Sequence, residues 1–215
     1  VTGCVGGGGV GVGARAGGAL PKQYTPLMGK PMLRYSLEAL CARPAIRAVQ
    51  VVIHPEHQAL YDAATKGLHL LPAVHGGAAR ADSVRAGLAA LAEHQPDFVL
   101  IHDAARPFLS QAMIASLLIA LTPNEAVLPA LAVADTVRRF EGGQWHEVSR
   151  EGLFRMQTPQ VFAYAKLVEM MDAIATHSTV PLPLRERLGE GLPVARPSPL
   201  TTHHSPPTSL TPTDE

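Results

Sequence analysis

The chain has little cysteine, no net charge and no long apolar run, and each scarcity removes a class of protein. Two cysteines, Cys4 and Cys41, stand among 215 residues. They supply neither a disulfide framework nor the repeated ligand spacing of a metal site. A reducing cytoplasm is therefore the expected compartment, with both thiols acting as small apolar side chains. The 18 lysines and arginines balance 18 acidic residues, whereas an extended nucleic-acid footprint would demand a basic excess. No stretch approaches the roughly 18 apolar residues of a membrane span. Nine glycines fall in the first eighteen residues, with no basic segment leading into an apolar one, so no signal peptide is expected. At 47% hydrophobic and 17% charged residues the chain can bury a real core.

Two further scarcities are local. No carboxylate precedes Glu38, so residues 1–37 carry Arg15, Lys22, Lys30 and Arg34 unopposed. No lysine follows Lys166, and eight of the nineteen prolines lie in 181–215 among Ser, Thr and His. That composition has no periodicity and predicts a disordered, Pro-rich tail over 177–215 behind one domain spanning 1–176.

Within the domain, short apolar runs alternate with helical periodicity. VQVVI (49–53), FVLIH (98–102) and AVLPALAV (126–133) read as buried strands. In 31–43, Leu33, Leu37, Leu40 and Cys41 share a helical face; in 82–94, Val84, Leu88 and Leu91 do the same. Ser110 is placed to cap the helix QAMIASLLIAL. The alternation implies βαβ units and a mainly parallel sheet covered on both faces. VTGCVGGGG is a poor strand by composition, because glycine packs nothing and loses most entropy. In VRRFEGGQWHEV (137–148) the Gly142-Gly143 pair predicts a hairpin, either a solvated flap or, given Phe140 and Trp145, an arm that packs on a second subunit.

Chemistry concentrates in five stretches. GVGARAGGALPKQY (11–24) spaces Gly11 and Gly13 ahead of Arg15 and Lys22. Glycine lets backbone N–H groups approach phosphate while the cations neutralise it, although a flexible loop with two solvated cations has the same composition. A dinucleotide site would want an acid about 20 residues further on, where the helical and acid-free PMLRYS stands. MGKP (28–31) is no P-loop, since Pro31 occupies the magnesium-binding hydroxyl position. In IHDAARPF (101–108), Asp103 falls just past a buried strand, at the edge where open α/β sheets place ligands. It suits either a hard cation shared with phosphate or a salt bridge to Arg106. His102 reads as a structural strand-end residue, since phosphoryl transfer from a good leaving group needs no strong base. HGGAARADSVRAGL (75–88) leads Gly76-Gly77 into a helix with Asp82 and Ser83 in its first turn, an ordinary cap or an anion or base site. ADTVRR (134–139) and SREGLFRMQTPQVF (149–162) offer Thr136, Arg150 and Thr158 as donors for a second phosphate.

Taken in order, GxGxR…PKQY, GGxxRADSV, HDAARP, ADT and REGL…QTPQ resemble the 2-C-methyl-D-erythritol 4-phosphate cytidylyltransferase family of the non-mevalonate isoprenoid pathway, over roughly residues 8–172. The resemblance implies a Rossmann-like three-layer α/β/α sandwich with a mainly parallel twisted sheet and a protruding β-hairpin arm over 137–152. It implies a homodimer through that arm, and magnesium-dependent transfer of a cytidylyl group from CTP to methylerythritol phosphate. Arg15, Lys22 and Arg150 match catalytic positions. Gly11, Gly13, Gly77, Ser83, Asp103 and Ala104 match nucleotide-binding ones, with Asp103 the magnesium ligand. Arg106, Asp135, Thr136, Arg150 and Thr158 match positions that grip methylerythritol phosphate. Neither nucleic acid nor membrane is an expected partner. Both ends depart from the pattern. Gly8, Gly9, Val10 and Gly11 replace the family's Pro-Ala-Ala-Gly, and no Asn-x-Lys-x-Thr follows RERLGEGLPVA (185–195).

Overall fold

A computed structural model of the chain describes residues 2–6, 20–121 and 124–177, with 2–6 and 175–177 as backbone only. The chain divides into two units, Val1–His177 and Ser178–Glu215, and every described residue belongs to the first. The expected disorder of the tail thus falls outside the described residues, as do Gly11, Gly13 and Arg15.

Strand β1 spans Thr2–Gly6; the short β2 (Pro26–Leu27) and β3 (Lys30–Pro31) precede helix α1 (Met32–Cys41). Next come β4 (Val49–Ile53), α2 (Gln58–Thr65), β5 (Val74–His75), α3 (Arg80–Leu91) and β6 (Phe98–Asp103). Helix α4 (Gln111–Leu121) leads to β7 (Ala126–Val127), β8 (Ala130–Ala132), β9 (Val137–Glu141) and β10 (Gln144–Val148). The unit closes with β11 (Phe154–Met156), β12 (Gln160–Ala163) and α5 (Tyr164–His177).

One six-stranded sheet, ordered β5-β4-β1-β6-β12-β7, organises the fold. Strands β5, β4, β1 and β6 run parallel, whereas β12 runs antiparallel to both β6 and β7. Side chains on β4 and β6 alternate between two apolar clusters, as the period of two requires. Val49, Val51, Ile53 and Leu100 join Leu33, Leu37 and Leu40 of α1, Tyr61 of α2 and Ile114 of α4. Val52, Val99 and Ile101 join Val84 and Leu88 of α3 and Leu167 of α5. Gln50 is buried within β4, where its amide donates to the Pro72 carbonyl at 2.8 Å. Among the described residues no helix is long and apolar enough to cross a membrane.

Four expectations need correction. The glycine-rich opening does form a strand: β1 lies mid-sheet, where two parallel neighbours supply ladder bonds that outweigh glycine's poor propensity. AVLPALAV is not one buried strand. It breaks at Pro129, which has no N–H to donate, into β7 on the main sheet and β8 in a separate ribbon with β11. Leu128 and Leu131 are exposed. Cys41 sits off the buried face of α1 and is a free, exposed thiol. Finally, Lys30 and Arg34 are not unopposed, because Glu38 takes both, at 2.7 and 2.9 Å. The Lys30 hydrogen bond is the main cause of a lowered Glu38 pKa.

Two further local readings agree with the structure. Ser110 Oγ accepts the Met113 N–H at 3.1 Å, capping α4. β9 and β10 pair in register, joined by Gly142 and Gly143 at φ 60° and 78°, the left-handed pair that a two-residue hairpin turn requires.

Leu37 is fully buried between α1 and the sheet. Leu37→Ala should lower unfolding free energy by about 2–5 kcal/mol in urea titrations. A loss below about 1 kcal/mol would contradict this account of the core.

Candidate active site

Two of the sequence motifs follow the ends of parallel strands, HGGAARADSV after β5 and IHDAARPF at β6. Gly6, the last residue of β1, is registered beside Val52 and Asp103, so β1 ends next to the aspartate. Ile53 ends β4 opposite His75, and its carbonyl accepts the Gly76 N–H at 2.9 Å. The Gly76-Gly77 turn then runs against the first turn of α3. A Cβ added at Gly77 would lie 2.4 Å from Asp82 Cβ, and one at Gly76 2.4 Å from Ser83 Oγ. Glycine is required there by close approach rather than by φ.

Asp103 is the centre of charge. Its Oδ1 accepts from Arg80 at 2.9 Å, and its Oδ2 from Arg106 Nε at 3.2 Å. Burial pushes its carboxyl upward, but the Arg80 guanidinium and then Arg106 outweigh this and hold the acid below its ordinary value. Arg106 also donates to Gln157 Oε1 at 2.7 Å. Ala104 is buried behind the loop. The salt bridge read as one alternative for Asp103 therefore exists, with a second arginine added.

Beneath the loop lies a buried polar network. The Arg106 carbonyl accepts from Ser36 Oγ at 3.0 Å and lies 3.0 Å from His102 Nε2. His102 Nδ1 is 3.1 Å from Thr158 Oγ1, which itself accepts the Asp103 N–H at 3.2 Å. Burial is the main influence lowering the His102 pKa, which favours the neutral ring.

Other expected site residues are placed but less tightly gathered. Lys22 is exposed on a 3-10 turn, Lys22–Tyr24, anchored by buried Tyr24. Among the described residues no ion pair to it is seen. Ser83 is buried, and its hydroxyl faces the Ala79 carbonyl at 3.4 Å. Asp135 and Thr136 are exposed on the approach to β9, and exposed Arg150 donates to the Ala134 carbonyl, holding the two sides of the hairpin base together.

A magnesium ion is commonly held by one or two carboxylates, with phosphate oxygens and water completing its shell. Asp103, a single carboxylate at a strand end, fits that mode. Among the described residues no group of three or more His, Cys, Asp or Glu side chains converges into a protein-only cage.

Arg80, Gln157 and Ser36 escaped the sequence reading. Arg80 lies inside GGAARADSV, but only the register of β6 against β1, and the seat of α3 on that sheet, reveals its partner. Nothing local marks Ser36 except its burial on the apolar face of α1.

The family model for 2-C-methyl-D-erythritol 4-phosphate cytidylyltransferase matches residues 8–180. A bifunctional enzyme IspD/IspF of Paramagnetospirillum magneticum is 49% identical over 165 residues, 76% of this chain and 43% of that protein. One from Rhodospirillum rubrum is 51% identical over 156 residues, 72% of this chain and 41% of its own. The chain thus spans under half the length of these relatives. Among solved structures, 2-C-methyl-D-erythritol 4-phosphate cytidylyltransferase from Thermus thermophilus superposes with TM-score 0.65 at 31% identity, covering 85% of this chain and 79% of that one. The fold is thus a mixed α/β one of the type seen in these transferases. The chain belongs to the 2-C-methyl-D-erythritol 4-phosphate cytidylyltransferase family.

The lowered Asp103 pKa has a signed consequence. Its stabilising contribution is present above the unfolded-state value of about 3.9 and lost as pH falls through the lower folded value. Asp103→Asn should therefore lower Tm at pH 7, with the gap to the native protein narrowing below about pH 4. An equal gap at both ends of a thermal-melt pH series would contradict the ion-pair geometry.

Proposed function

We propose that this chain transfers the cytidylyl group of CTP to 2-C-methyl-D-erythritol 4-phosphate, releasing pyrophosphate. The observation that carries the reading is the family match over 8–180, with GGxxRADSV and HDAARP following the carboxyl ends of the parallel strands β5 and β6. An acceptor-phosphate oxygen attacks the α-phosphorus of CTP, and the bond from that phosphorus to the bridging oxygen of the β-phosphate breaks. The acceptor is a phosphate monoester with a second pKa of about 6, so its oxygen is already ionised near neutrality. No protein base is needed, which agrees with a buried, internally bonded His102. Catalysis then rests on positioning and on neutralising charge.

In this reading Arg15 and Lys22 neutralise the triphosphate, and Gly11, Gly13, Gly77, Ser83 and Ala104 shape the nucleotide site. Asp103 would hold Mg²⁺, which when bound supplies compensating charge between the phosphates. Arg106, Asp135, Thr136 and Arg150 orient the acceptor, with Arg150 helping to direct its attacking oxygen, while Thr158, buried and bonded to His102, acts through the loop it holds.

The finer architecture belongs to the same proposal: a Rossmann-like three-layer sandwich whose hairpin is an arm that pairs two protomers. The division of apolar side chains between two sheet faces supports the layers. Exposed Phe140 and Trp145, with ring centroids 5.0 Å apart on adjacent strands, support the arm. The free thiol of Cys41 accords with a reducing cytoplasm.

Purified protein with magnesium, CTP and methylerythritol phosphate should release pyrophosphate, while other nucleotides and polyol phosphates should not support it. Equal turnover with unrelated acceptors would overturn the assignment. Lys22→Ala and Arg15→Ala should each slow turnover at least about 100-fold. A near-native rate in either variant removes that residue from the mechanism.

A further inference from the structure

We infer that His102 is a positioning residue for this reaction, fixing the Asp103–Arg106 loop and the Thr158 side chain from beneath without touching substrate. The inference rests on the cytidylyltransferase reading for its kinetics, though not for its geometry. His102 is 1% exposed at the end of β6. Its Nε2 lies 3.0 Å from the Arg106 carbonyl. A carbonyl only accepts, so Nε2 carries the ring proton and Nδ1 of the neutral ring is an acceptor. Thr158 Oγ1, 3.1 Å from Nδ1, therefore donates to it. That same oxygen accepts the Asp103 N–H at 3.2 Å.

The bonds form a directed chain: Asp103 N–H to Thr158 hydroxyl, Thr158 hydroxyl to His102 Nδ1, and His102 Nε2–H to the Arg106 carbonyl. It begins and ends on the two residues whose side chains meet above it, Asp103 and Arg106, 3.2 Å apart. Ser36 Oγ, from α1, braces the same Arg106 carbonyl at 3.0 Å. The ring thereby ties β6, the loop after it and the residue two positions before β12 into one unit. Thr158 directs its proton inward, so its hydroxyl acts on the site through the loop it holds.

The test is a double-mutant cycle. His102→Gln keeps a donor near the Nε2 position but loses the Nδ1 acceptor; Thr158→Val keeps shape and loses the hydroxyl. Each should lower kcat about tenfold, with KM for CTP little changed. The double variant should be no slower than Thr158→Val alone, because that change already removes the hydroxyl that His102 holds. Thr158→Ser, which retains the hydroxyl, should restore most of the rate. Losses that multiply to about 100-fold, or a His102→Gln variant at the native rate, would overturn the inference. A native protein that turns over nothing would sink the cytidylyltransferase reading alone, and hydrogen exchange of the Asp103 amide then decides. That amide should exchange faster in His102→Gln, at least as fast in Thr158→Val, which removes its acceptor outright, and no faster again in the double variant. Native-like exchange in folded His102→Gln would overturn the positioning role.

Discussion

The carboxylate of Asp103 lies between two guanidiniums, and much of the site is arranged around that contact. Arg80 reaches it from the first turn of α3, Arg106 from the loop after β6. Partly exposed ion pairs of this kind contribute little to stability, so their main consequence is geometric. They bring together α3, the sheet edge and the loop, three elements that local sequence leaves independent. A nucleotide with a cation would enter the same contact, since phosphate oxygens attract the guanidiniums while the cation attracts the carboxylate. In the proposed reaction the edge would exchange an internal pairing for one shared with a ligand.

What the sequence made legible follows from the range of each interaction. Strand β4, helix α1 and the cap at Ser110 are set by periodicity and by groups within four residues, and they lie where the pattern placed them. The hairpin was equally readable, because two consecutive glycines leave few alternatives. Asp103 at the end of β6 could be placed from a short apolar run alone. The failures are long-range. Glu38 lies eight residues from Lys30, and the passage from β3 directly into α1 brings their side chains to 2.7 Å. Arg80 and Asp103, 23 residues apart, meet only once the sheet register exists. Pro129 was visible, yet its effect depended on which strand each half would join.

Charge and apolar surface are segregated in a way composition could not reveal. With Lys30 and Arg34 held by Glu38, Lys22 is left as the described cation of the N-terminal segment without a carboxylate. Most exposed large apolar side chains of 128–156 gather on the β8–β11 ribbon and the hairpin: Leu131, Phe140, Trp145, Phe154 and Met156. The ribbon and the hairpin thus form a second region, one of uncovered apolar side chains. Asp135, Thr136 and Arg150 stand at the base of that second region rather than in the Asp103 cluster.

The central claim is that the nucleotide lies across the carboxyl ends of β1, β5 and β6. Hydrogen exchange with and without CTP and magnesium tests it most directly. Slowed exchange at 76–83 and 103–106, with the hairpin strands unchanged, is the expected result. Unaltered exchange in both segments at saturating nucleotide, or protection confined to other elements, would contradict it.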